Sequence, residues 1–224
     1  MIQKSIIKAI SLLTIFTIIT RTIGFMFKIY LSNMLSPVEL GIYTITISIY
    51  MLLLTFVTGN ISTTISKNIS QNKTNTTYKY KMVTNAIILA LITSIIIAIC
   101  VIVCKPIFYL ILTDITYLLL LYLIPSIICM ALYSPLMGYF WGENNYFYVS
   151  IIEFIEQIIR IVLSVILISL NILNNHMIAA CLGLTIACAI STLIGFILYF
   201  KQKAKLVPTL NYSKEIISST VPLT

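Results

Sequence analysis

Acidic residues are scarce in this chain: Asp and Glu total six among 224 residues, and the whole charged fraction is 9%. Soluble domains carry about 25% charged residues, so a soluble globular fold with a polar exterior is excluded. Histidine is nearly absent as well. The single His176 has no second ligand near it in sequence, and Cys100, Cys104, Cys129, Cys181 and Cys188 form no CxxC or Cys/His cluster, so no metal site is expected. Glycine-rich phosphate loops and the spacings of a catalytic triad or carboxylate dyad are missing too, which argues against an enzyme and leaves no cofactor to expect.

What the chain has in place of charge is apolar length. It is 60% hydrophobic with a mean hydropathy of +1.07, and apolar runs near 20 residues recur between short polar breaks, the length a helix needs to cross a bilayer. Segments inside lipid must satisfy their own backbone hydrogen bonds, as helices or closed barrels do. Period-two alternation is absent, so the expected fold class is all-α, a polytopic membrane helical bundle. Hydropathy places six transmembrane helices at roughly 9–33, 40–65, 83–104, 115–141, 147–171 and 176–200, with the start of a seventh near Ile216. Residues 1–215 then form one transmembrane lobe and 216–224 the beginning of a truncated seventh helix. Turn chemistry marks the breaks at Ser36-Pro37, Lys105-Pro106, Gly142-Glu143-Asn144-Asn145 and Asn171 to Asn175. Lys4 and Lys8 before an apolar stretch resemble a signal peptide, but the stretch runs past Arg21 without a small-residue cleavage site, which favours a retained helix.

Fourteen Lys and Arg give a net charge of +8, and their placement argues for topology, with no nucleic-acid partner. With the N-terminus inside, Lys4, Lys8, Lys67, Lys73, Lys79, Lys81, Lys201, Lys203, Lys205 and Lys214 all fall on the inner side and Lys105 alone on the outer. This bias predicts a multi-pass plasma-membrane protein with a cytoplasmic N-terminus.

The other three basic residues, Arg21, Lys28 and Arg160, lie within spans, where charge is expensive and faces a cavity or a partner. Arg21 and Lys28 share a face of the first helix, with Gly24 one turn from Arg21. Lys28 either snorkels to the interface or faces a cavity. Arg21 is deeper, and either binds an anion or pairs with a carboxylate. On the fifth helix Glu153, Glu156, Gln157 and Arg160 form a polar stripe. It reads either as a self-neutralised clamp, with Glu156 paired to Arg160, or as a cavity wall meeting a charged substrate or coupling ion. A basic cavity of Arg21, Lys28 and Arg160 would favour a phosphate-bearing ligand. Ala179, Gly183, Ala187, Ser191 and Gly195 recur every four residues on the sixth helix, a stripe for close helix approach. Pro125 and Pro135 should bend or break the fourth.

Thr20-Arg21-Thr22-Ile23-Gly24-Phe25 with Lys28, Leu35-Ser36-Pro37, Glu39-Leu40-Gly41-Ile42-Tyr43, Gly138-Tyr139-Phe140-Trp141-Gly142 and Glu156-Gln157-Ile158-Ile159-Arg160 occur in that order along the chain. The ordered set resembles the polysaccharide flippases related to stage V sporulation protein B, within the multidrug/oligosaccharidyl-lipid/polysaccharide exporter superfamily. The resemblance implies a flippase that moves a lipid-linked oligosaccharide or peptidoglycan precursor, with an anionic pyrophosphate head group, across the membrane by alternating access. It also implies roles in cell-wall synthesis or sporulation, and assigns Arg21 to gripping the pyrophosphate. Such proteins have about 14 helices in two lobes, so the chain is expected to be the N-terminal lobe, partnered by membrane lipid and by a C-terminal lobe in cis or in trans. The rival readings are a drug/cation antiporter of the same superfamily, coupled through Glu153, and an inactive truncated membrane remnant.

The charge bias makes a direct prediction. Single cysteines at Lys73 and Lys203 in a cysteine-free background should resist a membrane-impermeant thiol reagent in intact cells, and one at Asn174 should react. The reverse labelling pattern would invert the topology.

Overall fold

The computed structural model describes residues 2–72, 75–106, 112–170, 175–202 and 204–207. Among them run seven helices: α1 (Ile2–Met34), α2 (Pro37–Thr58), α3 (Ile61–Gln71), α4 (Thr76–Val103), α5 (Asp114–Gly142), α6 (Tyr146–Ser169) and α7 (His176–Lys201). The expected helix from Ile216 lies outside the described residues, as do Lys73, Asn174 and Lys203. Five stretches are long and apolar enough to cross a membrane, namely Leu13–Met34, Pro37–Gln71, Thr76–Val103, Asp114–Gly142 and His176–Lys201. The 24-residue α6 has the length of a span but carries Glu153, Glu156 and Arg160. The all-helical membrane bundle expected from hydropathy is the fold observed.

Two expectations change. The apolar run at 40–65 is not one helix. A capping box starts α2: the Ser36 N–H donates to Glu39 Oε2 at 2.8 Å and the Ser36 hydroxyl accepts from the Glu39 N–H, with Pro37 at the first helical position. Gly59, at φ +41°, then ends α2, and a second helix, α3, follows. A positive φ is cheap for glycine and interrupts the helix even within an apolar run. Conversely, Pro125 and Pro135 do not break α5, which is continuous over 29 residues. Neighbouring hydroxyls support its backbone. The Thr185 hydroxyl of α7 donates to the Tyr122 carbonyl at 2.9 Å, and that of Thr192 to the Cys129 carbonyl at 3.0 Å. Both steps are seven residues in the same direction, so α5 and α7 run parallel in a fixed register.

Helix α5 is the hub, packing on α2, α3, α4 and α7, and α6 packs most extensively on α7. Leu119, Leu123, Ala131, Leu136 and Phe140 of α5 are fully buried. Lipid provides no hydrophobic drive between helices, so association rests on close van der Waals packing. The small-residue stripe supplies it. All five stripe residues of α7 are buried, and a Cβ on Gly183 would overlap the Ser164 hydroxyl of α6 and stand 2.9 Å from its backbone nitrogen. A second seam joins α5 to α3. A Cβ on Gly138 would lie 2.7 Å from the Ser62 carbonyl oxygen, and one on Gly142 2.7 Å from Ile69 Cβ. Helix α1, in contrast, docks on α6 and scarcely touches α2.

One end of the bundle gathers the close of α3, α5 and α7 and the start of α4. There Lys79 and Glu143 form an ion pair at 2.6 Å, the Tyr139 and Tyr199 rings meet edge to face at 4.9 Å, and the chain after α7 returns to α4 through a Val207 N–H bond to the Thr84 hydroxyl at 3.0 Å. Lys67, Lys81, Lys201 and Lys205 share this basic end.

The two kinds of glycine environment predict opposite outcomes. Gly183→Ala should destabilise the detergent-purified protein by about 1–3 kcal/mol, the range for overpacking. Gly41→Ala, where nothing lies within 4 Å of the added Cβ, should be neutral or gain about 0.5–1 kcal/mol in helix propensity. Thermal unfolding of the pair checks this.

Candidate substrate cleft

Because α1 leans on α6 and barely meets α2, a cleft of about 230 Å³ opens between the three helices. Its polar lining comes from Lys28 of α1, Tyr43, Thr44 and Ser48 of α2, and Arg160 of α6. Phe27 and Leu31 contribute apolar wall. No carboxylate lines it.

Local sequence explains how an arginine is held here. Gly24 has no side chain to occupy the α1–α6 contact, so the Gln157 side-chain nitrogen comes within 3.0 Å of where its Cβ would stand and Arg160 Nη2 within 3.9 Å. Phe27, one turn on, places its ring under the guanidinium, with Cζ 5.9 Å from the centroid, a cation–π arrangement. Arg160 Nε and Gln157 Nε2 are buried without a hydrogen-bond acceptor among the described residues. Buried donors of this kind are costly unless something supplies the missing acceptor.

The candidate residues divide among different surroundings. Lys28 and Arg160 meet on the cleft, and Gln157 sits beside it against Gly24. Arg21 is exposed, on the α1 face that Gly24 and Lys28 share but outside the lining, with no ion-pair partner among the described residues. Glu156 makes no ion pair with Arg160. Its Oε1 faces α7, where the Cys188 thiol donates to it at 4.0 Å. Glu153 is exposed. Glu156 and Arg160 lie one turn apart on the same side of α6, but Arg160 turns to Phe27 of α1 and Glu156 to α7. Of the two readings of the stripe, the clamp is not formed among the described residues. Thr44 and Ser48 were not among the candidates. They are one turn apart and bond back to the carbonyls of Leu40 and Thr44, a pattern common to any membrane helix that carries no mark of a site.

The polar lining is thus cationic, from Lys28 and Arg160, and a guanidinium can grip a phosphate through two parallel hydrogen bonds. The volume suits a head group of phosphate size against an apolar wall.

The helices and the cleft define a polytopic helical membrane bundle that opens between α1, α2 and α6. The sequence pattern of the polysaccharide biosynthesis protein family matches residues 6–224, and the chain belongs to that family. Among solved structures it is similar to the eukaryotic MATE transporter AtDTX14, with a TM-score of 0.71 and 16% identity over 92% of this chain and 48% of the other. It thus spans about half the length of that transporter and shares the fold of that half. No curated protein matches it by sequence. Among the described residues no cluster of His, Cys, Asp or Glu is placed to hold a metal ion.

Arg21 separates a binding role from a structural one. Exposed and unpaired, it should be replaceable by alanine with a stability change within about 0.5 kcal/mol. Gly24→Val should cost more, since it drives a side chain into Gln157 and Arg160. A large loss for Arg21→Ala, restored by Glu153→Gln, would instead reveal an ion pair.

Proposed function

We propose that the chain is one lobe, the N-terminal one, of an exporter that passes an anionic lipid-linked saccharide across the plasma membrane by alternating access. The observation that carries this reading is the convergence of Lys28 and Arg160, from separate helices, on a cleft without carboxylates. The unsatisfied Arg160 Nε and Gln157 Nε2 supply further donors for phosphate oxygens. Membership of the polysaccharide biosynthesis protein family supports a saccharide cargo. The ordered motifs around Arg21, Gly138 and Glu156 favour relatives of stage V sporulation protein B, and with them a polyprenyl-pyrophosphate sugar such as a peptidoglycan precursor. In this reading Arg21, one turn beyond Gly24, meets the pyrophosphate on its way in. A C-terminal lobe, in cis or in trans, completes the cavity, and the basic end of the bundle faces the cytoplasm.

A drug/cation antiporter is the second reading, and Glu156 favours it. That carboxylate sits inside the lobe toward α7 and has no cationic partner within salt-bridge distance. It replaces the exposed Glu153 as the candidate for ion coupling.

The purified chain in nanodiscs should bind a short polyprenyl pyrophosphate more tightly than the polyprenyl alcohol of equal length. Arg160→Gln and Lys28→Gln should each weaken pyrophosphate binding about 10- to 100-fold, the scale of one charged hydrogen bond, and leave the alcohol unaffected. Equal affinity for alcohol and pyrophosphate would overturn the lipid-pyrophosphate reading. Binding of a lipophilic cation that disappears in Glu156→Gln would establish the antiporter.

A further inference from the structure

A second cavity, about 480 Å³, lies at the basic end and shares no residue with the cleft. It is lined by Ser62, Thr63, Ser66 and Lys67 of α3 and by Trp141 of α5. Its walls are held by the Gly138 and Gly142 seam, which brings α3 into backbone contact with α5. Helix α3 buries Ile61, Thr64, Ile65 and Ile69 against the core, which turns Ser62, Thr63, Ser66 and Lys67 to the cavity side.

Depth and chemistry define what fits. The 22 residues of α2 rise about 33 Å, enough for a hydrocarbon core of about 30 Å, so α3 beyond the Gly59 break lies at head-group level. Trp141 stands one residue from the end of α5, and its ring packs edge to face on Tyr146 at 5.4 Å. Trp and Tyr concentrate at this interfacial depth. Lys67 is exposed and has no carboxylate within salt-bridge distance among the described residues. Among the described residues the hydroxyls of Ser62 and Ser66, one turn apart, have no hydrogen-bond partner, whereas that of Thr63 bonds back to the Asn60 carbonyl at 2.8 Å.

We propose that this cavity binds the phosphodiester head group of an anionic phospholipid. The Lys67 ammonium neutralises the phosphate, the Ser62 and Ser66 hydroxyls donate to its free oxygens, and the Trp141 ring lies along the glycerol and the first acyl carbons. Among the cavity-lining residues Lys67 carries the one charge, and it biases the site toward lipids with net negative charge. A free phosphate ion would gain nothing from the aromatic wall or from the depth, which favours the lipid.

Trp141 is the only tryptophan in the chain, so its fluorescence reports this cavity alone. The experiment places the purified chain in bilayers containing phosphatidylglycerol or phosphatidylcholine with brominated acyl chains. Brominated phosphatidylglycerol should quench Trp141 with a relative association constant about fivefold above phosphatidylcholine, falling toward one in Lys67→Gln and in the Ser62→Ala/Ser66→Ala double variant. Lys67→Arg should keep the preference, which controls for folding. So should Lys201→Gln, a charge lost at the same end but outside the cavity. Equal quenching by the two lipids, or a preference that survives Lys67→Gln, would overturn the proposal. Relief of phosphatidylglycerol quenching by millimolar inorganic phosphate would also overturn it, in favour of a free-phosphate site.

Discussion

Lipid offers a polar group no hydrogen-bonding partner, and the placement of the serine and threonine hydroxyls on these helices follows from that. Thr17, Thr20 and Thr22 of α1 return their hydroxyls to carbonyls four residues back, as do Thr44, Ser48 and Thr55 of α2. Thr185 and Thr192 bond both within α7 and across to α5. These cross-links do more than satisfy donors, because they fix the register of two helices that prolines would otherwise loosen. Charge obeys the same constraint more severely. Lys79 is accompanied by Glu143 at one end of the bundle, and Arg160 stands on an aromatic face beside an open cleft.

The apolar residues solve a different problem. A leucine gains little by leaving lipid for protein, so tight assembly depends on how near two backbones can come. Gly183 against Ser164, and Gly138 and Gly142 against α3, remove the side chains that would hold the helices apart. The result is a compact set running from α2 to α7, with α1 held to it chiefly by α6. The cleft exists because that last helix is not pulled in from both sides.

Hydropathy was enough to read the class of fold and the approximate spans, since length and apolarity alone decide whether a segment enters lipid. The break at Gly59 was hidden because Thr58-Gly59-Asn60-Ile61 sits inside a run whose average stays apolar, and a backbone dihedral leaves no trace in hydropathy. Pro125 and Pro135 read as bending or breaking α5, and the structure excludes the break; the hydroxyls that bond its Tyr122 and Cys129 carbonyls come from 63 residues further along the chain, which no local pattern contains. Lys28 and Arg160 were legible as intramembrane charge, and the structure brings them together. Helical spacing could not divide the stripe on α6 between α1 and α7, because the division depends on which helices flank it.

Helix α6 has a consequence for how the chain is made. Each of its three charged side chains opposes partition into the bilayer by about 2.5–3.5 kcal/mol at mid-depth, so α6 emerging from the ribosome is a poor substrate for insertion by itself. The helix that follows carries the small-residue stripe that fits it and a stretch apolar enough to insert unaided. On this arithmetic the expected route is joint entry, α6 with α7 as a hairpin. A substitution at Gly183 would thus act before the protein is finished, as a fault in delivery, and its mark in the cell would be a chain handed to quality control.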